Sequence, residues 1–154
     1  MKQAATLTIG LVVAAMGMFG ADSSVGTWKL NVAKSKTNAA NPAKSQTDVR
    51  EATPDGGSKM TRTSQLADGS SANYSISFKY DGKPNAVKGA PYDVIAVKRI
   101  DANTTSFDVK KTGGKYHVTG QNVISKDGKM LTQTASGTAA DGKPLTSMMI
   151  FDKQ

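Results

Sequence analysis

The amino-acid sequence predicts an all-β protein: an antiparallel up-and-down meander of about 8–10 strands closed into a barrel, with a two-sheet β-sandwich as the alternative. Three observations carry this. Asp-Gly pairs recur at Asp55-Gly56, Asp68-Gly69, Asp81-Gly82, Asp127-Gly128 and Asp141-Gly142, with Gly113-Gly114 among them, and such pairs supply the positive φ angles of tight hairpin turns. The stretches between them are short, rich in Thr, Val, Tyr and Ser, and in places alternate with a two-residue period. The turns are too short for the crossovers of a sandwich, and a long meander removes its two exposed edges most simply by closing.

Taken in order, the chain divides into an expected signal peptide over residues 1–21 and a single barrel domain over 22–154. Met1-Lys2 precedes an apolar run from Ala4 to Gly20 that ends in small residues, the layout of a secretory signal. Cleavage is expected after Ala21, with a cut after Gly17 or an uncleaved membrane anchor as the alternatives. The chain has no cysteine, which excludes a lipid-modified anchor, disulfides, thiolate metal sites and a cysteine nucleophile together.

Strands are predicted at 25–31, 46–53, 58–66, 72–80, 91–100, 104–111, 115–125, 129–138 and 144–151. In the first, Trp28 and Leu30 share one face, and Trp28 is the only tryptophan. Residues 31–44 read as a long connection with a helical turn around Val32 to Lys36. The next two strands hold few large apolar residues on either face, so they form a polar wall that either faces water or lines a wet interior. The clearest alternation sets Tyr74, Ile76, Phe78 and Tyr80 against Ser75, Ser77 and Lys79. Phe107 and Val109 then oppose Asp108 and Lys110, while Tyr116 and Val118 oppose Lys115 and His117. Residues 92–100 and 145–151 are apolar on both faces and are expected to be central and covered.

Gly26-Thr27-Trp28 resembles the G-x-W signature on the first strand of lipocalins and related calycin barrels. The wider run from Gly26 to Lys36 is similar to the start of small secreted lipocalin-like proteins of environmental bacteria. Lys98 to Thr105, Val123 to Lys129 and the terminal Phe151-Asp152-Lys153-Gln154 share that likeness, which covers most of the chain after residue 21. It implies a calycin-type barrel closed by Gly26 and Trp28, with a late cation over the tryptophan ring: Lys153 by position, Arg99 as the alternative. It also implies that the loop after the first strand lies across the barrel mouth.

Lys and Arg number 20 against 12 Asp and Glu, for a net charge of +8, and arginine occurs only at Arg50, Arg62 and Arg99. Lysine scattered along strands is a solubility and edge-protection pattern, so nucleic acid is not an expected partner. Weak contact with anionic surfaces is the most that the charge implies. His117 is the only histidine and falls on the outer face of its strand, so no histidine metal cluster and no catalytic base are expected. The aspartates of the Asp-Gly turns are explained by turn chemistry. Asp48 and Arg50 share a strand face and are expected to pair.

No catalytic residue, metal or cofactor is expected. The function predicted is a non-enzymatic, secreted or periplasmic barrel, monomeric, that binds a small apolar or amphipathic ligand. A cationic cell-envelope module and a barrel enzyme with an inward carboxylate near Tyr80 or Tyr92 are the alternatives. Arg62 lies in phase with Met60, Ser64 and Leu66, and calycins that bind carboxylated lipids often use an inward arginine for the head group. The expected ligand-binding set is therefore Arg62, Tyr74, Phe78 and Tyr80.

Overall fold

Aspartate side chains shape the turns that make the meander. Asp127 Oδ1 accepts from Ser125 Oγ at 2.5 Å and from the Lys129 backbone N–H at 3.1 Å, and Gly128 between them takes φ +71°, an angle that favours glycine. Asp68 does the same through Ser70. Each such turn returns the chain antiparallel to the strand before it.

The computed structural model describes residues 22–154; the expected signal segment lies outside the described residues. The strands are β1 (Gly26–Leu30), β2 (Lys36–Thr37), β3 (Ala43–Ala52), β4 (Ser58–Leu66), β5 (Tyr74–Phe78), β6 (Asn85–Ala86), β7 (Val94–Arg99), β8 (Thr104–Lys110), β9 (His117–Ile124), β10 (Met130–Thr138) and β11 (Pro144–Lys153). They form one 11-stranded sheet in the order β5-β4-β3-β1-β11-β10-β9-β8-β7-β6, with β2 also on β11. Only neighbours in sequence pair, apart from β1 with β3, β1 with β11, which rolls the sheet up, and the short β2 with β11. The remaining seam, between β5 and β7, is pinned at one end, where Arg99 N donates to Tyr80 O at 3.3 Å and Gly82 N to Val97 O at 2.8 Å. The fold is an all-β, nearly closed barrel with almost no helix.

Several boundaries differ from the sequence reading. β2 and β6 are two residues each and carry no period to detect. β3 begins at Ala43, ahead of a bulge between Ala43 and Ser45. The strand expected from 91 begins at Val94 because residues 87–92 fold over the open part of the seam, where Val87 and Tyr92 are buried.

The segment 31–44 does not cross the barrel mouth. Asn31 caps a 3-10 turn over Val32–Lys34, and Lys36–Thr37 then pairs with Met148 and Ser147 on β11. It thus continues the edge that β1 begins, because β11 is twice as long as β1 and leaves backbone groups to be satisfied. Its packing buries Ile150. The expectation of two covered faces holds only there: Met148 is exposed, and Ile100, beyond β7, is 53% exposed.

Two groups of buried apolar side chains fill the barrel. Trp28, Leu30, Ile124, Leu131 and Phe151 form one, between β1 and β9–β11. Met60, Ile76, Val87, Tyr92, Ile95, Val97, Val109 and Val118 form the other, with Phe78, Phe107 and Tyr116 against it.

Candidate functional site

The wall made by β3 and β4 turns polar residues inward. Gln46, Asp48 and Arg50 on β3 and Ser58 and Ser64 on β4 are buried, while Val49, on the opposite phase, is 36% exposed. Asp48, 1% exposed, stands directly across the ladder from Arg62. The arginine fork closes on it: Nε donates to Oδ1 at 2.8 Å and Nη2 to Oδ2 at 2.7 Å. Arg62 Nη1 donates to the Tyr74 hydroxyl at 3.0 Å, and Gln46 Nε2 lies 3.3 Å from each Asp48 oxygen. Burial would lower the Arg62 pKa, but Asp48 outweighs it and holds the guanidinium above its ordinary value. Asp48 therefore pairs across the strands with Arg62 and not, as expected from sequence, along its own strand with Arg50.

Arg50 is left differently placed. It is 7% exposed, its Nε is buried without a hydrogen-bond partner, and among the described residues it takes part in no ion pair. Burial lowers its pKa, with Asp48 opposing, although an arginine stays protonated.

Both arginines line a partly open cavity of about 150 Å³. Its other walls are mainly apolar, from Met60, Ile76, Ile95, Val97, Val109 and Val118, with Phe78, Tyr80, Phe107 and Tyr116 adding rings. Asn122, which accepts from Gln133 Nε2 at 2.9 Å, supplies a smaller polar spot.

One end of the cavity is closed by the residues before β1. Ser23 Oγ reaches the β7–β8 turn at Ala102 O (3.2 Å). Arg99 Nη2 pairs with Asp22 Oδ2 at 2.8 Å while its guanidinium lies 4.1 Å above the Tyr80 ring, and Ser24 Oγ is 3.2 Å from the Tyr80 hydroxyl. Burial pushes the Asp22 carboxyl up, yet the hydrogen bonds from Ser24 and Arg99 prevail and hold it below the usual carboxylate range. Trp28, 1% exposed, donates from Nε1 to Ser24 O at 2.8 Å. Lys153 Nζ sits 5.1 Å from the centre of its ring and donates to Ser23 O at 3.3 Å. Gly26 makes this reach feasible: at φ +134°, a Cβ there would stand 2.6 Å from Lys153 Cε.

Of the residues chosen from sequence, Arg62, Phe78 and Tyr80 line the cavity and Tyr74 stands behind Arg62; Gly26, Trp28 and Lys153 meet at the closed end. Arg99, the alternative cation, covers Tyr80 instead of Trp28. His117 is exposed and lies 3.0 Å from Asp108. Asp93 faces outward, accepting from Thr112 N at 2.8 Å and pairing with Lys111, so it forms no inward pair with Tyr80 or Tyr92. Among the described residues no group of three His, Asp or Glu is placed to hold a metal. Sequence reading missed Arg50, Asp22 and Ser24. The two-residue period linking Gln46, Asp48 and Arg50 was available as a signal, but nothing in it says which face is inside.

No family model matches the chain, and no curated protein matches it. Solved structures do. The fluorescent protein UnaG superposes with a TM-score of 0.56 at 12% identity, over 86% of this chain and 98% of that one. A Schistosoma mansoni fatty acid binding protein in complex with arachidonic acid gives 0.52 at 12%, over 86% and 96%. Zebrafish ileal bile acid-binding protein complexed with cholic acid gives 0.50 at 11%, over 86% and 99%. At these identities the likeness establishes architecture alone: the chain has the antiparallel β-barrel fold that these structures share.

Proposed function

We propose that this chain is a non-enzymatic barrel, exported to the periplasm or beyond, that holds one small apolar or amphipathic molecule in its interior as a monomer. The observation that carries this reading is the partly open interior cavity of about 150 Å³, with apolar β7–β9 residues on one side and the charged β3–β4 wall on the other. Such a space favours a molecule with one apolar and one polar part. The neighbouring barrels in complex with arachidonic acid and cholic acid support ligand storage as the use of this interior. The side chains proposed to meet the ligand are Phe78, Tyr80, Arg62 and, behind it, Tyr74. The inward carboxylate Asp48 is consumed by Arg62 and Gln46 and has no lone pair directed at a substrate, which favours binding over acid–base chemistry. The apolar run before Gly20 supports export.

Native mass spectrometry of protein purified from its own host tests both parts. The expected result is a polypeptide lacking the first 17 to 21 residues, carrying one small molecule that is released on unfolding. A chain retaining Met1 in carbonate-washed membranes would favour an anchor, and protein isolated without any companion that also refuses small apolar probes would count against an interior site.

A further inference from the structure

We infer that Arg50 is the receptor for an acid group on the interior ligand, and that this ligand is a monocarboxylate with a small apolar body, about one aromatic ring or a short acyl chain. The inference rests on the interior-binding reading above and deepens it.

Three arginines line the cavity, and two are occupied. Arg62 is held in a two-pronged pair by Asp48 and donates its third nitrogen to Tyr74. Arg99 is paired with Asp22 and lies on Tyr80. Arg50 alone has a buried Nε with no partner, and Asp48, the nearest inward acid on its strand, already receives bonds from Arg62 and Gln46. A buried cation without a partner costs stability that an apolar residue at this position would not. Its planar fork matches a carboxylate. Gly26 stands directly across from Arg50 on β1 and Met60 on β4; the Lys153 side chain runs over Gly26 on one flank and adds a second cation there, and the other flank is apolar.

Charge and volume narrow the ligand. Asp48, Arg50 and Arg62 together leave the β3–β4 wall with one uncompensated positive charge, which a monoanion cancels and a dianion overshoots. A cavity of about 150 Å³ is of the size that takes a single benzene ring, and a long acyl chain exceeds it.

The test is calorimetric titration of the protein, stripped of any companion, with benzoate, benzamide, phthalate, oleate and the neutral probe toluene, on wild type and Arg50→Met. Benzoate is expected to bind more tightly than benzamide or phthalate. Arg50→Met should weaken benzoate about tenfold or more and leave toluene within about twofold. The same variant, without ligand, should melt no lower than wild type, which separates loss of the receptor from loss of the fold. Benzoate affinity unchanged in Arg50→Met would overturn the assignment, as would benzamide or phthalate binding as tightly as benzoate. Oleate bound with benzoate refused would overturn the size class. Toluene bound with every acid refused would sink this inference and leave the interior site standing, whereas refusal of all five probes would sink both.

Discussion

At the Trp28 end of the barrel, β1, β9, β10 and β11 turn Trp28, Leu30, Ile124, Leu131 and Phe151 inward; on the adjoining wall, β3 and β4 turn Gln46, Asp48, Arg50 and Arg62 inward. Both regions follow the same pleat, and each inward residue is one step from an outward one. The first needs only one partner, Ser24 O for the Trp28 indole N–H, since burying apolar area stabilises at roughly 25 cal/mol per Å². The second is tolerable only where hydrogen bonds and opposite charge offset desolvation. Arg62 meets that condition and Arg50 does not. The comparison teaches that one region holds the barrel shut and the other gives its interior a chemical preference.

The largest expected effect breaks the first region. Trp28→Ala should lose about 3–5 kcal/mol of stability, as for a large aromatic leaving a packed core, measured by denaturant unfolding followed by far-UV circular dichroism. A loss under about 1 kcal/mol would mean that the closed end does not depend on its ring. The charged wall should answer less simply. Asp48→Ala strands Arg62 beside Arg50 and should cost about 3 kcal/mol, the lower end for a broken buried pair, because Arg62 retains some exposure. Replacing both partners, Asp48→Leu with Arg62→Met, should instead be neutral or stabilising by about 1–4 kcal/mol. If the double replacement costs as much as the single one, the pair is a structural support, and the contrast between the two regions collapses.

Much of the barrel was legible because Asp-Gly turns and period-two strands are local features. Tyr74, Ile76 and Phe78 announced their inward face, and β4 was found over Ser58–Leu66. The site was harder to read for a physical reason. A strand's period shows which residues face together, and apolarity normally tells which group faces in; on β3 the apolar Val49 points out and the charges point in. Arg62 was found through Met60 and Leu66 on its own face, whereas Arg50 has no large apolar neighbour in phase on β3, only Ala52. The pairing of Asp48 with Arg62 required the β3–β4 register, which sequence does not state. Ser23 and Ser24, nonlocal partners of the β7–β8 turn and Tyr80, carried no signal at all.

A milder probe asks how dry the cavity wall around Tyr92, beside the Arg62–Tyr74 contact, is. Tyr92 is buried, edge-on to Tyr74 at 6.2 Å and stacked with Tyr116 at 6.4 Å. Burial, reinforced by Tyr74 and opposed by Arg62, pushes the Tyr92 hydroxyl well above its ordinary pKa, and burial raises Tyr116 in the same direction. A group whose folded pKa is raised contributes stability that is complete below its unfolded value, about 10 for tyrosine, and is lost as pH climbs toward the folded value, because the unfolded chain releases a proton that the native one keeps. Stability should therefore be level from pH 8 to about 10 as far as these groups are concerned and then fall, by at most about 1.4 kcal/mol per pH unit for each tyrosine. Lysines begin to titrate in the same range, so the informative quantity is the difference between wild type and Tyr92→Phe in denaturant unfolding at pH 8 and pH 11. The variant should lose less on going to pH 11, and phenolate absorbance in wild type should lag until unfolding. Equal losses in both proteins, with full phenolate absorbance while the barrel is still folded, would mean that water reaches this wall as readily as it reaches an exposed strand.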